Sequence, residues 1–201
     1  MLANLARLSE RLFEILRSSD FLTMKGHANE VPLFIQTYEP KDEDDLRTML
    51  ESLTARLRSE GLDVNLADLF DIVLADLEAK AILKDLIQDE SSFTKAEMFE
   101  TLRNSSDPRT RLVPRLADLI KDGSQLTLIT GSGRVFPFLR THTILESLQP
   151  AMLRHPIVIF FPGRYEQDPS GGSHLQLFGS IPSPVINNPY YRASNMDNYR
   201  I

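Results

Sequence analysis

Residues 125–163 read QLTLITGSGRVFPFLRTHTILESLQPAMLRHPIVIFFPG. Leu126–Ile129 is a short apolar run of strand-forming residues that stops at Thr130-Gly131-Ser132-Gly133. A helical stretch follows, and Pro156–Phe161 makes a second apolar run, ended by Pro162-Gly163. Strand, glycine turn, helix, strand is a βαβ unit. Neither strand alternates apolar with polar, so both are expected to be buried on two faces in a parallel sheet. Ligands and partners tend to meet such sheets at the carboxyl ends of the strands. Here those ends carry Gly131-Ser132-Gly133-Arg134 and Pro162-Gly163-Arg164.

The chain upstream supplies more layers. Leu2, Leu5, Leu8, Leu12, Ile15 and Leu16 recur at helical spacing. Val31–Tyr38 reads as a strand, with Pro32 tolerated near its start. Asp42 suits an N-cap, and Glu43, Asp44 and Asp45 suit the positive end of a helix dipole, which explains this acidic run without a metal. Leu46, Met49, Leu50, Leu53 and Leu57 make the helix's buried stripe, and Gly61 closes it. Leu62–Leu66 reads as another short strand, after which Asp68 can cap a helix. Residues 80–122 read as a helical insertion on one face of the sheet. His174–Phe178 alternates like an edge strand, and residues 180–201 read as an irregular tail. The expected fold is α/β: three layers, a mostly parallel central sheet flanked by helices, Rossmann-like without a functional P-loop. Residues 1–179 form one domain in this reading.

Composition narrows the function classes. A hydrophobic fraction of 42% and a charged fraction of 25% fit a soluble globular chain. The net charge of −6 argues against a broad non-specific DNA-binding face, which needs a basic surface. There is no cysteine, which excludes disulfides, thiolate metal sites and thiol nucleophiles. Arg7, Glu10, Arg11 and Glu14 interrupt the first helix, so it lacks the apolar core of a signal peptide. No apolar run approaches a membrane span. These features fit a cytoplasmic protein.

The glycine turn invites a phosphate-binding reading, because backbone N–H groups at such a turn can cradle an anion. A P-loop, however, needs Gly-Lys-Ser/Thr, and the chain continues Arg134-Val135-Phe136-Pro137. The second strand ends without an acidic residue for magnesium. Ser132 lacks the outer glycine spacing of a nucleophile elbow. His27, His142, His155 and His174 form no close-spaced metal pair. His155 reads as ordinary loop, and His142 as a structural histidine beside a Thr143–Glu146 capping box. The reading assigns no catalytic residue, metal or cofactor. The candidate ligand- or partner-binding residues are Gly131, Ser132, Gly133, Arg134, Arg140, His142, Gly163 and Arg164. Tyr190, Tyr191 and Arg192 form a candidate partner-binding tail, being of the types enriched at binding hot spots. A local DNA-binding patch would draw on Arg134, Arg140, Arg154 and Arg164.

Three stretches in order resemble the BrxB family, the small B component of BREX phage-defence systems: MKGHANEVPLFIQTY (24–38), LITGSGRVFPFLRTHTILESL (128–148), and FFPGRYE followed by LQLFG within 157–179. The tail Tyr190-Tyr191-Arg192-Ala193 is similar to the family's aromatic-arginine ending. Residues 166–173 depart from the family pattern by being longer, and residues after Ala193 run past its usual end. The resemblance implies a protein working inside a multi-protein system that methylates host DNA and blocks phage DNA replication. It implies other BREX proteins as partners, first the PglZ-type phosphatase-like component and second the methyltransferase. It carries over no catalytic residues, and leaves direct DNA binding and homodimerisation open. The expected function is therefore a non-catalytic assembly subunit. The alternative is a degenerate nucleotide- or phosphate-binding regulatory domain.

Overall fold

The computed structural model describes residues 2–25, 31–105, 107–121, 123–148, 154–167, 173–179, 181–182 and 193–200. Its helices are α1 (Leu2–Leu16), α2 (Ser19–Leu22), α3 (Glu43–Ser59), α4 (Leu69–Ala79), α5 (Leu83–Gln88), α6 (Lys95–Ser105), α7 (Val113–Lys121) and α8 (Thr141–Ser147). Its strands are β1 (Leu33–Tyr38), β2 (Val64–Asp68), β3 (Leu126–Thr130), β4 (Ile157–Gln167), β5 (Ser173–Leu177), β6 (Ile181–Pro182) and β7 (Ser194–Asn195). The central sheet runs β2-β3-β4-β1-β7 and every neighbouring pair in it is parallel. The three-layer α/β architecture expected from the apolar runs is the one observed.

Two apolar layers hold the sheet. On one face, Leu12 and Leu16 of α1 and Leu46, Leu50, Leu53 and Leu57 of α3 pack against Phe34, Leu128 and Phe160. On the other, Val73 and Leu77 of α4, Leu116 of α7 and Ile144 of α8 pack against Ile35, Ile129 and Ile159. Successive strand side chains point to opposite faces, so a strand with no polar alternation feeds both layers at once. Each fully buried Leu, Ile or Phe contributes about 1.5–3 kcal/mol through removal from water.

Short-range signals place the elements. Asp68 ends β2 and caps α4, its Oδ1 accepting the N–H groups of Phe70 at 2.8 Å and Asp71 at 3.3 Å. Gly61 closes α3 at φ +85°. Asp42 stands at the start of α3 but makes no cap hydrogen bond; its side chain is buried instead.

Three local expectations differ from what forms. The helix expected directly after the glycine turn is replaced by turns through residues 132–138, and α8 begins only at Thr141. Pro137 is the cause: it has no N–H to give a helix, and it disfavours the helical conformation at Phe136. Arg140, extended at φ −110° and ψ 136°, therefore takes the N-cap position and leaves Thr143 inside the helix, so Thr143 does not cap it. Finally, β4 runs on past Phe161. Ile157–Pro162 pair in parallel with β1, while Gly163–Gln167 leave the sheet and pair antiparallel with β5. Gly163 makes the exit at φ +149°, and a Cβ there would stand 2.0 Å from the Gln176 carbonyl oxygen, so only glycine fits.

Residues 193–200 lie within the segment read from sequence as a tail. They contribute β7, which pairs with β1, and a turn of 3-10 helix at Met196–Asn198. Met196 is fully buried.

Candidate functional site

The parallel strands put Tyr38, Asp68, Thr130 and Pro162 at one carboxyl edge. The glycine turn rises from it and is packed against the chain's own carboxylates. A Cβ on Gly131 would lie 2.4 Å from Asp68 Oδ1, and one on Gly133 would lie 3.0 Å from Glu43 Oε2. Glycine is needed at both places for this close approach. Ser132 is buried, and its hydroxyl donates to the Phe160 carbonyl oxygen at 2.8 Å. Arg134 bonds Asp68 Oδ2 through Nη1 at 2.7 Å, with Asp71 at 3.9 Å, and its guanidinium lies over the Phe70 ring at 4.6 Å.

The electrostatics follow from burial. The Tyr38 hydroxyl donates to Glu43 Oε2 at 2.5 Å. Burial, reinforced by the Glu43 charge, pushes the Tyr38 hydroxyl far above its ordinary value. Burial also raises the Glu43 carboxyl, and the Asp68 charge adds to the rise, against the opposing Tyr38 hydrogen bond and Arg134 charge. The glycine turn is thus flanked by carboxylates, and the nearest arginine, Arg134, is engaged by Asp68 and Asp71. No cluster of three His, Cys, Asp or Glu side chains able to hold a metal exists among the described residues.

Beyond the turn the surface becomes aromatic. Phe136 meets Phe178 edge-on at 5.8 Å, and the Arg140 guanidinium lies 5.9 Å from the Phe136 ring centre. Phe178 follows β5 and is 38% exposed, an unusual exposure for a ring of that size. A groove of about 440 Å³ continues from there to α6, lined by Phe93, Met98, Phe99, Leu102, Phe136 and Phe138. By residue type Phe136 and Phe138, like Phe160 and Phe161, belong in a core. The latter two are buried, but Phe136 and Phe138 are only half-buried, because the turns around Pro137 carry them to the rim.

Of the residues singled out from sequence, the fold brings Gly131, Ser132, Gly133, Arg134 and Gly163 to one edge, with Arg140 joined to them through Phe136. Arg164 is exposed on the hairpin, near Phe178-Gly179. The His142 side chain and residues Tyr190, Tyr191 and Arg192 lie outside the described residues. His155 is not ordinary loop. It is buried at the amino end of the sheet, 2.8 Å from the Thr127 hydroxyl, and burial lowers its pKa below the ordinary histidine value. Sequence reasoning missed Glu43 and Asp68 as members of this edge, having assigned both to helix starts, and it missed Phe93 and Phe178.

The family model described as "BrxB: BREX protein BrxB" matches residues 65–196. A BREX protein BrxB of Bacillus cereus (strain H3081.97) is 34% identical over 195 residues, covering 93% of this chain and 96% of that protein. A BREX protein BrxB of Escherichia coli O9:H4 (strain HS) is 25% identical over 150 residues, 72% of each chain. No solved structure matches. No helix among the described residues is long and apolar enough to cross a membrane. With the family model spanning the glycine turn, the hairpin and β7, and a relative aligned over nearly its full length, this chain belongs to the BrxB family and is a BREX system component.

Proposed function

We propose that this chain is a non-catalytic assembly subunit of a cytoplasmic BREX anti-phage defence complex. It acts by protein–protein contact at the carboxyl edge of the sheet, in support of host DNA methylation, of phage DNA exclusion, or of both. The observation that carries the reading is the aromatic surface formed where the glycine-turn segment, α6 and the hairpin meet. Aromatic residues, phenylalanine among them, together with methionine and arginine are enriched at protein interfaces. The edge beside it is filled by Arg134 bonded to Asp68 and by Glu43 accepting from the Tyr38 hydroxyl. Its first partner in this reading is the PglZ-type phosphatase-like component, and its second the methyltransferase.

Co-purification from cells expressing all the neighbouring BREX genes tests this. The tagged chain should bring down a BREX protein, and Phe178→Ala with Phe138→Ser should lose it while keeping the native circular dichroism. Recovery of the chain alone, with every BREX protein expressed, overturns the reading. The phosphate-binding alternative rests on the glycine turn and the nearby Arg134. A rise in melting temperature with ATP or ADP that Arg134→Ala abolishes would establish it, because a ligand selective for the folded state must stabilise it.

A further inference from the structure

Among the described residues the sheet has a second outer edge, formed by β2. Backbone N–H and C=O groups along a strand turn alternately to its two sides. The Asp63 carbonyl turns toward β3, where it accepts the Gln125 N–H at 2.8 Å. Val64 turns the other way: its carbonyl accepts Arg58 Nε at 3.1 Å and Nη2 at 2.7 Å, from a side chain reaching around from α3. The same alternation turns the N–H and C=O of Leu66, and the N–H of Asp68, away from β3. In front of them lies a groove of about 660 Å³. One wall is Arg47 and Glu51 of α3; the other is Ile72 and Ala75 of α4 with Asp118 and Leu119 of α7.

We propose that this groove takes an extended peptide segment from another BREX protein, which adds as a strand to β2 and sets a basic side chain between Glu51 and Asp118.

The occupant follows from the groove. Outward backbone groups on an edge strand are matched by another backbone, whereas a helix has already spent its own on internal bonds. A paired strand must approach to about 4.8 Å. The β2 edge is recessed between α3 and α7, so a second copy of this chain would bring helix against helix before its own β2 arrived. A single extended segment fits between the walls.

Charge gives the segment its sign. Asp68 is matched by Arg134, and Asp71 by Arg47 at 3.5 Å. Arg115, though it borders the groove, is held at 3.0 Å by Asp76, which Lys80 also holds at 2.6 Å. Burial works against the Asp76 charge, but Lys80 and Arg115 outweigh it and keep the carboxyl below its usual range. Glu51 has only a distant share of Arg47, at 3.8 Å, and Asp118 is exposed. The walls therefore hold surplus negative charge on both sides of a floor made by Leu66 and Ala67.

This surface is separate from the aromatic edge, and its test is arranged so that either can fail alone. Overlapping synthetic peptides covering the other BREX proteins encoded with this chain are titrated against the full-length protein. Binding is followed by fluorescence anisotropy and by amide hydrogen exchange. A lysine- or arginine-containing peptide should bind and slow exchange at Leu66. Glu51→Lys with Asp118→Lys should weaken it on the order of tenfold, as expected for two exposed charge contacts. Methylating the peptide's pairing backbone nitrogens should abolish binding, and Phe178→Ala should leave it unchanged. The proposal is overturned if no peptide binds, if exchange at Leu66 is unaltered on binding, or if backbone methylation makes no difference.

Discussion

The two outer edges of the sheet are treated in opposite ways. On the β1 side the chain returns to close its own edge. Ser194 and Asn195 pair with Phe34 and Ile35. Arg11 reaches over to bond the Met196 carbonyl at 3.1 Å, Gln36 Oε1 at 2.7 Å and Asp197 Oδ1 at 2.8 Å. Met196 is buried below, and Tyr199 meets Phe21 and Phe34 edge-on at 5.2 and 5.9 Å. On the β2 side, among the described residues, a side chain caps only the Val64 carbonyl, and α3 and α7 leave a channel along the rest. An exposed strand edge is a template for another chain, so proteins cover it, shorten it or use it. Among the described residues, one edge is covered by the chain itself, and the other is short, recessed and open.

The largest effect should come from undoing the closed edge. Met196→Ala removes a fully buried side chain, and chemical denaturation should show a loss of about 2–5 kcal/mol. A variant as stable as the parent would mean that residues 193–200 do not hold the β1 edge. Next comes the carboxyl edge between the two. Arg134→Ala leaves the largely buried Asp68 carboxylate without its cation, at a cost of about 1–3 kcal/mol in the same experiment. An unchanged midpoint would show that Asp68 is adequately held by its helix-cap bonds alone.

His155 gives an internal control, since it touches neither edge. Its folded pKa lies below the ordinary value of 6.5. As pH falls, the unfolded chain therefore takes up the proton first. This contribution is intact above the unfolded pKa and declines as pH drops below it toward the folded value. Denaturation midpoints measured through that range should fall with pH, and His155→Gln should flatten the slope. An identical slope in the variant would assign the dependence to other groups. The smallest stability effect belongs to the open edge: Glu51→Lys and Asp118→Lys should each alter folding stability by no more than about 0.5 kcal/mol, being exposed and remote from the core. A larger loss would mean that these acids brace α3 and α7 rather than line a binding groove.

Much of the framework was legible in the residues. Ile157–Phe161 and Leu126–Ile129 are uninterrupted apolar runs of strand length bounded by turn residues, and that pattern has few readings. Asp68 was legible as a cap because capping is local. The contents of the carboxyl edge were not. Arg134 and Asp68 are 66 residues apart, and nothing in either neighbourhood announces the pair. Glu43 looked like a helix-dipole residue, and it is also the carboxylate beneath Gly133. Pro137 is visible in the sequence, but the turns around it, and with them the partial exposure of Phe136 and Phe138, appear only in the fold.

Local residue patterns settled the parallel α/β layers, since strand burial and helix amphipathicity are written in the spacing of apolar side chains. It also carried the family, in motifs spread along the whole chain. Tertiary structure alone decided which edge is sealed and which is open. A two-residue strand such as Ser194-Asn195 has no pattern of its own, and becomes a strand only where Arg11, Gln36 and the β1 backbone await it. Whether the backbone of Leu66 has a partner depends on what folds up beside it, and no local residue pattern encodes that.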